Sequence, residues 1–530
     1  MEAFLQPLQG LAEFEEIKKR CSVNRGILNI SGCMESQKVH LMYGLSGLFP
    51  CHLILADDER SAKEIYEDYR FYDKNVYFYP AKDLLFFQAD IHGNLLIRQR
   101  MRVIRALLEQ EEVTVVTSID GCMDFLMPLE KIRSSLLHFK SDSVIDLEKL
   151  KADLVELGYE RVGQVELPGQ FSVRGGIIDI YPLTEENPWR IELWDDEIDS
   201  IRSFDAESQR SLENADEITI YPAVEKNDGK DMVSFLDYFP EEKTLLFLDE
   251  PNHLAENGEG VEEEYRQSRM HREEKGEANL PEQWLCGFQE VQKKLNKRNC
   301  VAVSSLSPRR SGWKFTDEFD LAVKSVDSYN SSFELLVKDL LQYKSQGYRI
   351  ALLSGSRTRA ERLAKDLSEE GLNAFYSQDY SRIINPGEIM VVYGHARRGF
   401  QYPLIKFAVM TETDIFGKEQ KKRKKKKKYS GNRIQDFAEL SIGDLVVHEK
   451  HGLGIYRGIE KVEVDRVVKD YIKIEYRGGS NLYILATQLD ALQKYSGSSD
   501  NEKTPKLNKL GGQEWNKTKS RVKGAVKNIA

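Results

Sequence analysis

Four groups of residues in this chain have the types and spacing to do chemistry. The first lies in Gly26–Ser36, where an apolar run ends in Gly32 and is followed by Glu35 and Ser36. A strand that turns through glycine into a helix is where a phosphate-binding loop would sit. Such a loop needs backbone amides near the phosphates, a lysine on the β- and γ-phosphates and a hydroxyl on Mg²⁺. Here Glu35 precedes the Ser36 hydroxyl in place of lysine, and its carboxylate repels a triphosphate. The second group is Asp249 and Glu250, which close the apolar run from Thr244. Acids at a strand end can hold Mg²⁺, but without the loop lysine the pair reads as a relic or as strand-end caps. The third is Arg161 with Arg174, which by residue type alone read as solvated sheet residues. The fourth is His448 and His451, three apart in a turn with no further ligand nearby, which favours turn structure over a metal. Cysteines 21, 33, 51, 122, 286 and 300 are scattered without a CxxC, so no zinc ribbon or disulfide framework is indicated and reduced thiols are expected. No catalytic constellation emerges.

The elements that must position these groups follow from periodicity. Residues 1–25 read as an amphipathic helix carrying Leu11, Phe14 and Ile17. Strand Gly26–Gly32, helix Gln37–Tyr43, strand Cys51–Ala56, helix Asp57–Arg70, strand Asn75–Pro80, helix Leu95–Glu109 and strand Val113–Thr117 then alternate. That order predicts a parallel sheet covered on both faces. Strands Thr244–Asp249 and Cys300–Ser304 and an exposed helix Glu262–Lys275 follow. A further α/β unit runs through Arg349–Gly355, Thr358–Glu370, Ala374–Tyr376, Ile389–Tyr393 and Lys406–Met410; it reads as a structural or interaction domain. Between the two parts of the first unit, Gly158–Arg210 holds runs rich in β-branched and aromatic residues, a small antiparallel sheet. Ile178 and Ile180 share one face there and Asp179 and Tyr181 the other. Gly175 and Gly176 fit a bend or bulge. Near the C-terminus, Ile442–Tyr456, Asp470–Tyr476 and Leu482–Leu485 are short strands with glycine turns, as in a small Tudor or SH3 barrel.

With 530 residues the chain is expected to hold several domains. A net charge of −10 argues against a general nucleic-acid coat. Lys421–Lys428 is nonetheless an unbroken basic run, which reads as an extended linker with salt-sensitive DNA contact as a secondary effect. No apolar run approaches the roughly 18 residues a spanning helix needs, and the N-terminus lacks signal-peptide order. A cytoplasmic protein without membrane contact is expected.

Two stretches carry a family resemblance. Tyr159-Glu160-Arg161, then Phe171-Ser-Val-Arg174-Gly175, a strand ending at Pro182, and Asp195-Asp-Glu-Ile-Asp-Ser-Ile-Arg202 resemble the UvrA-binding domain of UvrB. They are closer still to the matching domain of the bacterial transcription-repair coupling factors, the Mfd family. Gly443-Asp-Leu-Val-Val-His448 with His451-Gly-Leu-Gly454 resembles the RNA polymerase-interacting domain shared by that family and CarD, and Lys509–Trp515 resembles its helical connector.

The resemblance implies a multi-domain α/β fold: a UvrB-like parallel-sheet domain with an inserted small antiparallel sheet domain, a further α/β domain and a C-terminal Tudor/SH3-like barrel. Its expected parts are 1–125 and 213–345 for the UvrB-like domain, 126–212 for the UvrA-binding sheet and 346–417 for the further α/β domain. A linker at 418–438, the polymerase-interacting domain at 439–497 and a connector at 498–530 complete the chain. The family's role in binding UvrA carries over to Arg161, Phe171 and Arg174; the additional UvrB arginine is Ser172 here. Pairing with the polymerase β subunit through an exposed strand carries over to Tyr471, Ile472, Lys473 and Ile474, although Ile472 and Ile474 also read as barrel core. The UvrB loop pattern falls on Asn29, Gly32, Met34, Glu35 and Ser36, a degenerate nucleotide loop. The segment 79–93 is too short for UvrB's damage-probing hairpin. No GxxxxGK[ST] occurs, so ATP, Mg²⁺, upstream double-stranded DNA and the family's translocase activity are expected only with motor domains outside these residues. No cofactor is expected within them. The implied role is to bridge a stalled RNA polymerase and UvrA. The alternatives are a UvrB-like excision-repair ATPase and a CarD-type polymerase-binding regulator.

Overall fold

The computed structural model describes residues 1–23, 25–82, 94–225, 231–274, 285–307, 312–417, 440–448, 451–464, 467–485, 492–495 and 507–508. The runs Lys421–Lys428 and Lys509–Trp515 lie outside the described residues. Two compact units divide the chain: one within 1–83, 103–129 and 227–422, the other within 84–102, 130–226 and 423–530. The fold is multi-domain α/β, and among the described residues no helix is long and apolar enough to cross a membrane.

In the first unit a seven-stranded sheet runs in the order 315–320, 26–31, 299–303, 244–249, 51–56, 113–118, 76–79. Every pairing in it is parallel. Strands Gly26–Ser31, Val113–Ser118 and Thr244–Asp249 are buried along their whole lengths, because helices cover both faces of a parallel sheet and each strand must be apolar throughout. The N-terminal helix expected over 1–25 is broken into Glu2–Leu5, a 3₁₀ turn Gln6–Gly10 and Ala12–Val23. Pro7 has no amide hydrogen to continue a helix and starts the tighter turn instead.

A second sheet in the same unit has the order 324–325, 400–402, 407–411, 349–354, 388–393, 373–376. Its core is continuous with that of the first. Phe4, Ile54, Tyr72 and Val301 belong to the same apolar cluster as Leu353, Val392, Phe400 and Phe407. Helix Glu35–Ser46 is covered on all sides, burying even Ser36, Gln37, Lys38 and His40. It is longer at both ends than the Gln37–Tyr43 expected, because burial all around removes the amphipathic stripe by which its ends would be read.

The second unit holds a six-stranded sheet in the order 211–215, 197–204, 189–194, 177–180, 170–174, 160–161, antiparallel except for its last pair. Gly175 and Gly176 form the two-residue connection of a hairpin that pairs Arg174 with Ile177. The bulge lies across from them, at Glu192/Leu193. Also in this unit is a five-stranded antiparallel sheet, in the order 481–485, 467–475, 452–464, 445–448, 492–494.

Candidate functional site

At the loop after strand Gly26–Ser31, Gly32 has φ +75°, and a Cβ there would run into the Leu321 carbonyl oxygen. Glycine is therefore demanded by close backbone packing. The amides that would face a phosphate are engaged within the chain: Cys33 N donates to Ser304 O at 3.0 Å and Met34 N to Gln37 Oε1 at 3.0 Å. Ser36 Oγ donates to Asp68 Oδ2 at 2.7 Å and accepts from Arg398 N at 3.1 Å. Arg397 donates to Asp68 from its backbone N at 3.0 Å and from Nε at 3.2 Å. The Arg398 guanidinium lies 3.8 Å from Glu35. A loop of the second sheet thus sits on the start of helix Glu35–Ser46.

Asp249 and Glu250 close around a lysine at the strand end, and Glu250 also accepts the Ser305 amide just past strand Asn299–Val303. Lys38 Nζ donates to Asp249 Oδ1 and to Glu250 Oε1, each at 2.7 Å. Ser305 completes the shell by donating to Glu250 Oε1 from Oγ at 2.6 Å and from N at 2.8 Å. Burial weakens the Lys38 ammonium, but the two carboxylates outweigh it and raise its pKa. Burial pushes Glu250 up and Lys38 more than reverses it. For Asp249 burial prevails and the shift is upward; with a strengthened ammonium at 2.7 Å, we assign the ion-paired form. The chain supplies its own cation where a nucleotide site would place a metal.

On the antiparallel sheet, Arg161 and Arg174 are exposed. Arg161 pairs in register with Phe171 and Glu160 with Gln170, and Gln170 Nε2 donates to Glu160 Oε2 at 3.4 Å. By period-two alternation, Glu160 rather than Arg161 shares the face of Ser172 and Arg174. Phe171, expected beside the arginines at the interface, is 0% exposed. It belongs to the apolar face, opposite Ile180, and packs in the domain's interior. Asp179 is buried although it lies on the polar face, held by Arg174 Nη2 at 2.6 Å and by Arg190 at 2.7 and 2.9 Å.

In the five-stranded sheet, strand Val467–Glu475 pairs on both sides, with Gly452–Val464 and with Asn481–Leu485. It is internal, so Tyr471–Ile474 offers no free strand edge, contrary to expectation. Ile472 and Ile474 are fully buried and Tyr471 nearly so. The two isoleucines join Val446, Tyr456, Tyr476, Ile484 and Leu492 in the local core. Lys473 and Tyr471 share the opposite face of the strand, and Lys473 places Nζ 2.7 Å from Glu460 Oε1 and 5.6 Å from the Tyr483 ring centroid. Among the described residues, strand Asn481–Leu485 pairs on one side only. His448 and His451 lie with ring centroids 4.8 Å apart and planes tilted by 33°, and His451 N donates to His448 Nδ1 at 3.3 Å. All six cysteines are free thiols.

Sequence alone did not single out Lys38, Asp68, Arg190 or the Arg397–Arg398 pair, and placed Asp179 on the polar face without a role. Lys38 had a signal: it precedes Val39, Leu41 and Met42 in a helix without a polar stripe, and a buried ammonium requires acids. Asp249 and Glu250, closing an apolar run, are the acids the sequence offers for it.

Residues 137–225 match the UvrB interaction domain family, and residues 440–496 match the CarD-like/TRCF RID domain family. The chain is 31% identical to the transcription-repair-coupling factor of Bacillus subtilis (strain 168), over 94% of this chain and 48% of that protein. It is 30% identical to that of Staphylococcus aureus (strain MRSA252), over 86% of this chain and 44% of the relative. The chain spans about half the length of the curated relatives it matches. Along nearly its whole length, then, the chain resembles about half of a transcription-repair-coupling factor, with a UvrB interaction domain and a CarD-like/TRCF RID domain on one polypeptide.

Proposed function

We propose that this chain is the bridging portion of a cytoplasmic transcription-repair coupling factor, joining a stalled RNA polymerase to UvrA. The observation that carries this reading is the presence of both interaction domains in one chain. Arg174, exposed at the hairpin of the first domain, and Arg161, on the neighbouring strand, are the proposed UvrA contacts. The second domain is proposed to be the Tudor/SH3-like module. Its strand Asn481–Leu485, paired on one side among the described residues, would add to a strand of the polymerase β subunit, with the backbone supplying hydrogen bonds and outward side chains such as Tyr483 supplying selectivity.

No nucleotide is proposed at residues 29–36. The internal engagement of the loop amides, the Ser36 hydroxyl and the Asp249–Glu250 acids supports that reading, and disfavours a UvrB-like ATPase. ATP-driven translocation on upstream DNA is assigned to the remainder of a full-length family member. The test is capture of this chain by purified UvrA and by the polymerase β subunit, without ATP, at two salt concentrations. Capture by both is expected. Capture by polymerase alone would leave a CarD-type regulator and remove the bridge.

A further inference from the structure

We propose that Asp179 is a positioning residue for Arg174: a buried carboxylate, balanced from behind by Arg190, holds the Arg174 guanidinium in the orientation that meets an acidic partner surface. The inference rests on the reading of Arg174 as a UvrA contact.

Register sets up the arrangement. Ser172, Asp179, Arg190 and Arg202 follow one another across four neighbouring strands. A row containing two arginines on a sheet face needs carboxylates, and each arginine has one. Arg202 donates from both terminal nitrogens to Glu192. Arg190 donates from Nε to Asp179 Oδ1 and from Nη2 to Asp179 Oδ2. Arg190 is itself fixed, with its guanidinium 4.3 Å from the Phe204 ring centroid and Nη2 3.0 Å from Gln209 Oε1. Asp179, with a side chain only 1% exposed, is therefore immobilised by a partner other than Arg174.

Arg174 comes to this fixed carboxylate from the strand end. It gives one nitrogen to Asp179 Oδ2, and its side chain stays 44% exposed, against 13% for Arg190 and 23% for Arg202. A guanidinium has five N–H donors. One anchors Arg174 and leaves most of the fork presented outward. An arginine held this way loses less rotamer freedom when a partner docks than a free one would. Ser172 supports the arrangement passively: it faces Asp179 in register but sends its hydroxyl to Gly163 O at 3.0 Å, so it does not compete for the carboxylate.

The test is a double-mutant cycle on the full chain, reading its dissociation constant for purified UvrA together with its thermal midpoint. Arg174→Ala is expected to weaken binding by at least about tenfold and Asp179→Asn by about fivefold. In the Arg174→Ala background Asp179→Asn should change nothing further. An equal loss from Asp179→Asn in both backgrounds would mean a merely structural role and overturn the inference. If Asp179→Asn does not fold, Arg174→Lys decides: it keeps the charge but not the fork, and undiminished binding would overturn the inference. No effect of Arg174→Ala would instead remove Arg174 as a contact, and the positioning role with it.

Discussion

The side chains of Lys38 and Asp249, 211 residues apart in sequence, meet at 2.7 Å in the interior of the first unit. With Glu250 they form a closed charge cluster at the C-terminal end of strand Thr244–Asp249. In a nucleotide-binding fold those acids would serve a metal and, through it, a triphosphate. Here the first helix after the loop turns a lysine onto them.

Replacing Lys38 by Met should therefore destabilise the chain strongly, by about 3–5 kcal/mol, since two carboxylates lose their cation while still enclosed. Urea denaturation at pH 7 measures it. Adding Asp249→Asn and Glu250→Gln to Lys38→Met should restore much of the loss. Equal stability of wild type and Lys38→Met would mean that the cluster is solvated.

His40 gives a pH dependence of definite sign. It is 0% exposed, with Nε2 2.9 Å from Phe4 O and Nδ1 3.0 Å from Tyr402 OH. The carbonyl can only accept, so Nε2 carries a hydrogen, and burial favours the neutral ring over the imidazolium. Burial lowers its pKa from 6.5 to about 4. The unfolded state therefore binds a proton that the folded state refuses. Stability from this group is complete above pH 6.5 and is lost as pH falls toward 4, by about 3 kcal/mol in all. The urea midpoint should fall between pH 7 and pH 4.5, and less steeply in His40→Gln.

Phe171 separates core from contact. Phe171→Ala should cost about 3–5 kcal/mol of stability in the antiparallel sheet domain. The folded fraction should nevertheless bind UvrA with unchanged affinity. Measuring affinity well below the melting transition, beside Arg174→Ala, distinguishes the two; a lowered affinity at full folding would return Phe171 to the interface.

The contrast between what the sequence disclosed and what it hid has a physical basis. Strands such as Cys51–Ala56 were legible to the residue because parallel strands buried on both faces are continuous apolar runs. The alternation Ile178, Asp179, Ile180 correctly set the apolar face. That Asp179 would also be buried was illegible, because its cover is two arginine side chains from other strands. Burial at Ile472 and Ile474 was likewise visible as alternation. Which strand of the five lies at the edge was not, because order across a sheet depends on pairings between segments far apart in sequence.

The edge itself supplies the last prediction. Strand Asn481–Leu485 has one partner among the described residues, Val467–Glu475, with Tyr483 opposite Lys473 and Leu482 opposite Ile474. Along such a strand successive N–H groups point alternately toward the partner strand and away from it. Proline at an outward amide removes a donor that only an incoming strand would use, whereas proline at an inward one breaks the sheet. Of Leu482→Pro and Tyr483→Pro, one should unfold the domain. The other should leave its thermal midpoint nearly unchanged and abolish capture by the polymerase β subunit. Ile472→Ala, in the internal strand, should cost about 2–5 kcal/mol through the cavity it leaves, with binding by the folded fraction retained. If both proline variants fold and still bind polymerase, the docking edge is not this strand. If Ile472→Ala abolishes capture at full folding, the internal strand carries the contact through its side chains.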